Sequence, residues 1–219
     1  MGARPALGGQ SGRRRVPEPG RRGTARPDPR SLTAAPLVLA SRSPQRRAIL
    51  EQLGVAFRAV APGVEELSEG APERLVLENA RRKAEAVEGT RVLGVDTTVV
   101  LDGRSYGKPL DGGAAAQTLG ALSGREHEVW SGIALRAGGE VAVRSARTLV
   151  RFRTLSTVEI EWYLATGEWR ERAGGYAIQG RGAALVEAIE GDFWNVVGLP
   201  VAALVGLAPE LVVAGGGSR

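Results

Sequence analysis

Residues 37–47, LVLASRSPQRR, gather two hydroxyls and three guanidinium groups in one short stretch: Ser41, Ser43, Arg42, Arg46 and Arg47. Four apolar residues, Leu37 to Ala40, precede them and read as a short buried strand. Ser43 is a good N-cap and Pro44 suits the first helical position. A strand, a tight turn and a helix N-terminus in that order present unpaired N–H groups and the positive end of a helix dipole, which suits phosphate. The same residues also suffice for a plain helix cap with solvated arginines. No G-x-x-x-x-G-K-[ST] loop is present.

Two acidic positions could do chemistry beside such a grip. Asp96 follows the apolar run Val92–Val95. It reads as the carboxyl end of a buried strand, where ligands gather in open α/β sheets. Its alternative role is a turn aspartate bonding the backbone of Thr97 or Thr98. Glu65 and Glu66 follow another strand-like segment, FRAVAP (57–62), and paired acids after a glycine are commonly just solvated. If Glu66 converges on Asp96, the pair can hold Mg2+ or Mn2+ through hard oxygen ligands. Such a metal would neutralise a polyphosphate while one carboxylate deprotonates water. Lys83 and Lys108 are the two lysines among 29 basic residues. A position that keeps lysine in an arginine-rich chain suggests a need for a compact ammonium. Directed to one cleft, the two lysines would grip phosphate oxygens. The residues together suit metal-assisted phosphoanhydride cleavage.

A last conspicuous stretch is Gly174-Gly175-Tyr176-Ala177-Ile178-Gln179-Gly180. Glycine permits close approach to a flat ligand, and Gln179 offers the donor and acceptor that reading a base edge requires. An ordinary glycine-rich turn is the plain alternative. His127 reads as a structural histidine at a strand start, Asn195 as ordering the GDFWNVVGLP turn, and Trp162 and Trp169 as core or interface.

The elements that must position these groups follow from periodicity. A helix is expected over 44–53, stopped by Gly54, with Ala48, Ile49, Leu50 and Leu53 on one face. A longer helix is expected from Pro72 to Val87, with Leu75, Val76, Asn79, Arg82 and Lys83 at helical spacing. A hairpin-like return runs through Asp102-Gly103, and Lys108 sits in a Gly-Lys-Pro loop. A small helix covers 113–122. Glu126–Leu135 and Glu140–Arg153 alternate as long strands joined by Ala137-Gly138-Gly139. Ser156 or Thr157 caps a helix to about Thr166, and a final helix runs from Pro200 to about Leu207. Hairpins and parallel crossovers are both needed, so the fold class is α/β with a mixed sheet and flanking helices.

Composition bounds the rest. A chain of 219 residues with 43% hydrophobic content can bury a sizeable core. It has no cysteine and one histidine, which excludes disulfides, thiolate metal sites and H-E-x-x-H. No apolar run is long enough for a transmembrane helix. Residues 1–30 carry eight arginines against Glu18 and Asp28, or +6, which leaves −1 for the rest of a chain of net charge +5. The basicity belongs to the head, so nucleic acid is not the expected partner. Residues 1–35 read as a disordered Arg/Pro/Gly-rich extension, 36–213 as one domain and 214–219 as a frayed tail. No apolar stretch of secretory type follows the arginines, and a transit peptide or a start placed too far upstream would equally explain the head.

Ser41-Arg42-Ser43-Pro44-Gln45-Arg46, Gly94-Val95-Asp96-Thr97, Gly107-Lys108-Pro109, Ala173 to Gly180 and Val197-Gly198-Leu199-Pro200 occur in one order. Together they resemble the Maf (septum formation inhibitor-like) nucleotide pyrophosphatases over about residues 37–207. The resemblance implies an elongated, two-lobed α/β fold around a central cleft, often as a homodimer. It implies a cytoplasmic enzyme that hydrolyses a nucleoside triphosphate to the monophosphate and pyrophosphate with a divalent metal. A link to cell division arrest comes with it, and a non-catalytic regulator of septation is the alternative. By motif position, Asp96 is the proton acceptor and Glu66 a metal-site acid. Lys83 and Lys108 are the active-site lysines, and Ser41, Ser43 and Arg46 form the triphosphate grip. Three positions separate the family's substrate classes, and the dTTP/UTP type carries Arg, Thr and Gln there. The 7-methylguanosine triphosphate type carries Trp, Gln and Glu; this chain has Gln45, which fits neither, and Thr97 and Gln179, which fit the first, so the resemblance leans to dTTP, UTP or modified pyrimidine nucleotides.

Overall fold

The computed structural model describes residues 1–2 and 36–213. The rest of the head and the tail 214–219, read from sequence as disordered and frayed, lie outside the described residues. Strand β1 is Leu37–Ala40, with all four side chains buried. Helix α1, Pro44–Gln52, starts on the Ser43 cap with Pro44 in its first turn. Its buried face is Ile49 and Leu50. Ala48, expected on that face, is exposed, because a helix this short and polar buries little more than one stripe. An edge strand, β2 (Phe57–Val60), pairs parallel with β1.

Helix α2, Pro72–Glu85, carries Glu73 in its first turn and Arg82 and Lys83 in its last, both matched to the helix dipole. Leu75, Val76, Asn79 and Lys83 are buried as their spacing predicts, whereas Arg82 turns outward to Glu78. Strand β3, Arg91–Leu101, has eleven residues and is almost wholly buried. Contrary to the expectation from its apolar run, β3 does not stop at Asp96 but runs on to Leu101, so Asp96 is no turn residue. The tight turn Asp102-Gly103, with both residues at positive φ, then folds back β4, Arg104–Tyr106. Helix α3 is Gly112–Leu122.

Strands β5 (Glu126–Ala137) and β6 (Glu140–Phe152) form a long hairpin about Gly138-Gly139, again at positive φ. Helix α4, Thr157–Ala165, begins with the Ser156–Glu159 capping box, whose hydrogen bonds hold the Glu159 carboxyl at about 2. Two 3-10 turns (Ala173–Gly175 and Gly180–Leu185) lead to β7, Val186–Glu190. Helices α5 (Phe193–Val197), α6 (Val201–Leu207) and α7 (Glu210–Val213) close the described chain.

The sheet is mixed, in the order β2-β1-β3-β5-β6-β7 with β4 on β3, seven strands in all. Only β2-β1-β3 is parallel. Residue Ala40 of β1 pairs with Gly94, so β3 loses its parallel neighbour just before Asp96. The site thus lies off the carboxyl end of β1, which satisfies the rule for open α/β sheets through a different strand from the one expected.

Strand β3 feeds two cores. Leu93 and Val95 pack with Leu37, Leu50, Ile133 and Leu199. Val99 and Leu101 pack with Leu119, Phe152, Tyr163 and Tyr176. Each fully buried aliphatic side chain contributes about 1.5–3 kcal/mol, so both cores anchor the strand firmly. Asp96 to Thr98 lie between them. Two glycines fix how α2 lies on this strand. A Cβ at Gly94 would sit 2.0 Å from the Ala80 carbonyl oxygen, and one at Gly132, the cross-strand partner of Asp96, would sit 2.3 Å from that of Val76. Without side chains there, the helix backbone rests directly on the sheet, and Asn79 and Lys83 reach Asp96.

Candidate active site

Asp96 is 6% exposed, and each of its carboxylate oxygens has a partner on α2. The Lys83 ammonium donates to Oδ1 at 2.6 Å and to the Val95 carbonyl at 3.3 Å. The Asn79 amide donates to Oδ2 at 3.0 Å. An ionised carboxylate oxygen accepts two hydrogen bonds, so each still has room for one more donor, such as a water. Lys83 also meets Glu66 Oε1 at 2.6 Å, so one buried ammonium joins two carboxylates from different segments. Burial works to raise the Glu66 carboxyl, but Lys83, with Lys108 and Arg46 further off, holds it below its ordinary range.

Glu66 comes from an irregular segment and is half exposed. Asn79 places it. The same amide that bonds Asp96 donates to the Leu67 carbonyl at 2.9 Å and accepts from the Leu67 N–H at 2.8 Å. The neighbour of Glu66 is therefore clasped like a strand partner, and one side chain orients both acids. Helical spacing marked Asn79 as inward-facing; nothing in the sequence marked the two bonds to Leu67.

The turn after β1 is bonded to itself and to β3. Ser41 Oγ accepts from the Ser43 N–H at 3.2 Å and from Arg46 Nη1 at 3.1 Å, which leaves its own O–H to donate. Ser43 Oγ caps the Arg46 N–H at 3.4 Å and donates to Gln45 Oε1 at 3.1 Å. Arg46 further donates through Nε to the Gly198 carbonyl at 2.9 Å and through Nη2 to Thr97 Oγ1 at 3.1 Å. Thr97 Oγ1 also lies 2.8 Å from Ser131 Oγ. Three of the five guanidinium N–H groups are spent on this frame and two remain. Burial lowers the Arg46 pKa, opposed by Asp96 and Glu66, and the group keeps its charge.

A cavity of about 390 Å³ is lined by this turn, Glu66, Thr97, Lys108 and the segment Glu171–Ala173. It is continuous, through Arg46, Glu66, Lys83, Thr97 and Lys108, with the space over Asp96 and Asn79. Ser41, Ser43, Gln45, Arg46, Glu66, Lys83, Asp96, Thr97 and Lys108, all named from sequence, thus meet in one cleft. Lys108 stands at its edge, 54% exposed, with Nζ 3.3 Å from Glu171. Gln179 does not join them. It is exposed, precedes the second 3-10 turn, and is absent from the lining of this cleft. His127, expected to be structural, is buried with Nε2 2.8 Å from the Tyr176 hydroxyl. Asn195 is buried and bonds the Val129 carbonyl and Thr148. Trp169 is in the core, while Trp162 is exposed. Arg172, at the cleft, went unnoticed in sequence, since one more arginine carries no signal in so arginine-rich a chain.

The donor set suits a hard divalent cation of the magnesium type. Among the described residues no group of three or more potential ligands is gathered, and Asp96 and Glu66 are the two carboxylates brought together on Lys83. That is the usual complement when substrate phosphates supply the remaining oxygens. One buried and one half-exposed carboxylate, a hydroxyl-rich helix start and several cations make a cleft able to hold a polyphosphate and to take a proton from water.

The chain is 48% identical over 171 residues to the dTTP/UTP pyrophosphatase of Symbiobacterium thermophilum, covering 75% of this chain and 88% of that protein. It is 49% identical over 175 residues to the dTTP/UTP pyrophosphatase of Thermus thermophilus, covering 78% and 92%. It is 50% identical over 173 residues to the one from Anaeromyxobacter sp., covering 76% and 84%. The family model described as Maf-like protein matches residues 36–211, nearly all of the described fold, and the chain belongs to that family.

Proposed function

We propose that this protein is a nucleoside triphosphate pyrophosphatase that cleaves dTTP and UTP to the monophosphate and pyrophosphate. The observation that carries this reading is the pairing of Asp96 and Glu66 on one buried ammonium, Lys83, beside a helix start lined with hydroxyls. The relatives named for dTTP and UTP support the choice of substrate.

The chemistry follows from the partners of each group. The Ser41 hydroxyl and the two unspent N–H groups of Arg46 bind phosphate oxygens at the turn. Asp96, oriented by Asn79 and Lys83, accepts the proton of a water that attacks the α-phosphorus. The bond to the bridging oxygen breaks and pyrophosphate leaves with that electron pair. Lys83 and Lys108 offset the charge that develops. Glu66 and Asp96 would hold a divalent cation, which when bound neutralises phosphate charge. Gln45, whose amide N–H groups remain available, and Thr97 lie where the nucleotide would be read. A homodimer in the cytoplasm is part of the same proposal, on the family resemblance alone.

The test is pyrophosphate release from a panel of nucleoside triphosphates with Mg2+ or Mn2+, before and after chelation. Asp96→Asn should lower turnover by about 10²- to 10⁴-fold, as loss of a general base does. Unchanged turnover in that variant would refute the role given to Asp96.

A further inference from the structure

The cations of the cleft are mostly committed. Arg46 is bonded to Gly198, Ser41 and Thr97, Lys83 to two carboxylates, and Lys108 to Glu171. Arg172 is half-buried, lines the same cavity, and its guanidinium has no hydrogen bond or ion pair among the described residues. Its Nε is fully buried without a partner. Such a group is costly to leave unsatisfied. The two acids nearest in the chain make no hydrogen bond or ion pair with it, although the charge of Glu168 acts on it through space. Glu171 pairs with Lys108, and Glu168 accepts the backbone N–H groups of Arg181 and Gly182.

The backbone before Arg172 is strained. Glu171 has φ of +59°, in the left-handed region that non-glycine residues rarely enter. Strain of that kind gathers at ligand sites. The strained corner is held in place, because the Gly174 N–H donates to the Gly107 carbonyl at 3.1 Å and ties the Arg172 loop to the Lys108 loop.

We propose that Arg172 is a substrate-binding residue that grips the pyrophosphate portion of the nucleotide from the loop side of the cleft. The inference rests on the reading of this cleft as a triphosphate site. An unpaired cation with a buried N–H calls for an anion, and the triphosphate carries the charge of the substrate. The guanidinium fork matches two phosphate oxygens at once, which an ammonium cannot do. Arg172 and Lys108 then hold from one side what Ser41 and Arg46 hold from the turn.

The experiment compares wild type, Arg172→Gln and Arg172→Lys with Mg2+ present. Calorimetry measures binding of inorganic pyrophosphate and, separately, of dTMP; kinetics are run with dTTP and UTP, and thermal unfolding is followed. Arg172→Gln should weaken pyrophosphate binding by about tenfold or more, as loss of a charge-assisted bidentate contact does. It should leave dTMP binding unchanged within roughly twofold, raise KM for dTTP and UTP by one common factor, and keep the wild-type melting temperature. Arg172→Lys should restore part of the pyrophosphate affinity. Unchanged pyrophosphate affinity overturns the proposal. So does a changed dTTP-to-UTP preference alone, which would make Arg172 a base reader. Parallel loss of both ligands with a lowered melting temperature in both variants would make it structural, again against the proposal. If wild type binds pyrophosphate through Arg172 yet turns over no nucleotide, the grip stands and the proposed reaction falls.

Discussion

The floor and the rim of the cleft are built on opposite principles. On the floor, Asp96, Lys83 and Asn79 are at most 6% exposed, and every polar side-chain atom they carry is hydrogen-bonded. Two glycines let a helix press its backbone onto the sheet to achieve this. At the rim, Lys108 and Glu171 share one contact of 3.3 Å in open solvent, and Gln45 is held by a single neighbouring hydroxyl. Charges in the floor act at low dielectric, whereas an exposed pair is worth about 0–1 kcal/mol. The contrast teaches where change is tolerated: on the proposed reading the reacting groups are fixed by packing, and recognition rests on groups that can be exchanged.

The floor should therefore break through packing without any reacting group being touched. In Gly94→Ala the new methyl would fall 2.0 Å from the Ala80 carbonyl oxygen, so α2 must shift. Overpacking of this kind costs about 3 kcal/mol, and turnover should fall with it. Denaturant unfolding and turnover measured on one preparation check both. Wild-type values for either would mean that the helix does not bear directly on the sheet. The rim has a buried support of its own, the His127–Tyr176–Phe152 cluster. Burial pushes His127 down to about 4, so the folded protein keeps it neutral. Below pH 6.5 the unfolded chain takes up this proton and the native state does not. Stability from this group is complete above about pH 6.5 and declines by about 3 kcal/mol as pH falls to 4. His127→Gln should flatten that part of the stability–pH curve. An unaltered slope would show that other groups titrate there.

Asn79 tests whether the acidic segment belongs to the floor or to the rim. Asn79→Ala removes two bonds to Leu67 and one to Asp96 while leaving both acids and Lys83 in the chain. Loosening Glu66 by an ångström or so should lower turnover by about 10²-fold. Cleavage by protease near residues 63–70 should quicken as well. Turnover within about threefold of wild type would mean that Lys83 alone positions the two acids.

Much of the floor was legible in the sequence, because burial leaves periodic traces. Leu75, Val76, Asn79 and Lys83 recur at helical spacing, and all four are buried. Asp102-Gly103 and Gly138-Gly139 read as hairpin turns, and their positive φ values are what such pairs supply. Strand length is not legible at Asp96, since a polar residue ends an apolar run whether the strand stops or opens onto a cleft. Gln179 shows the limit at the rim. A glycine-rich loop suits a flat ligand, yet the loop's own course leaves that side chain in solvent. Arg172 shows the converse: the role proposed for it rests on a buried Nε left without a partner, which no spacing encodes.

The smallest effect expected separates binding phosphate from choosing the base. Gln45 lines the cleft, and its carbonyl is occupied by the Ser43 hydroxyl, so only its N–H groups face a ligand. A guanidinium in its place cannot accept that hydroxyl, which would be freed to donate to phosphate, and it offers a charge-assisted donor to a pyrimidine carbonyl. Gln45→Arg should therefore raise the preference for dTTP and UTP over purine nucleotides by about tenfold, or 1.4 kcal/mol, on top of any gain in pyrophosphate affinity, which all nucleoside triphosphates share. Competition between dTTP and GTP in one reaction measures this directly. An identical nucleotide profile in the variant would place base choice on other residues and leave the Ser41–Arg46 turn as a phosphate grip alone. That outcome would draw the line between floor and rim inside this turn, with Ser41 and Arg46 on the fixed side and nothing at position 45 that selects.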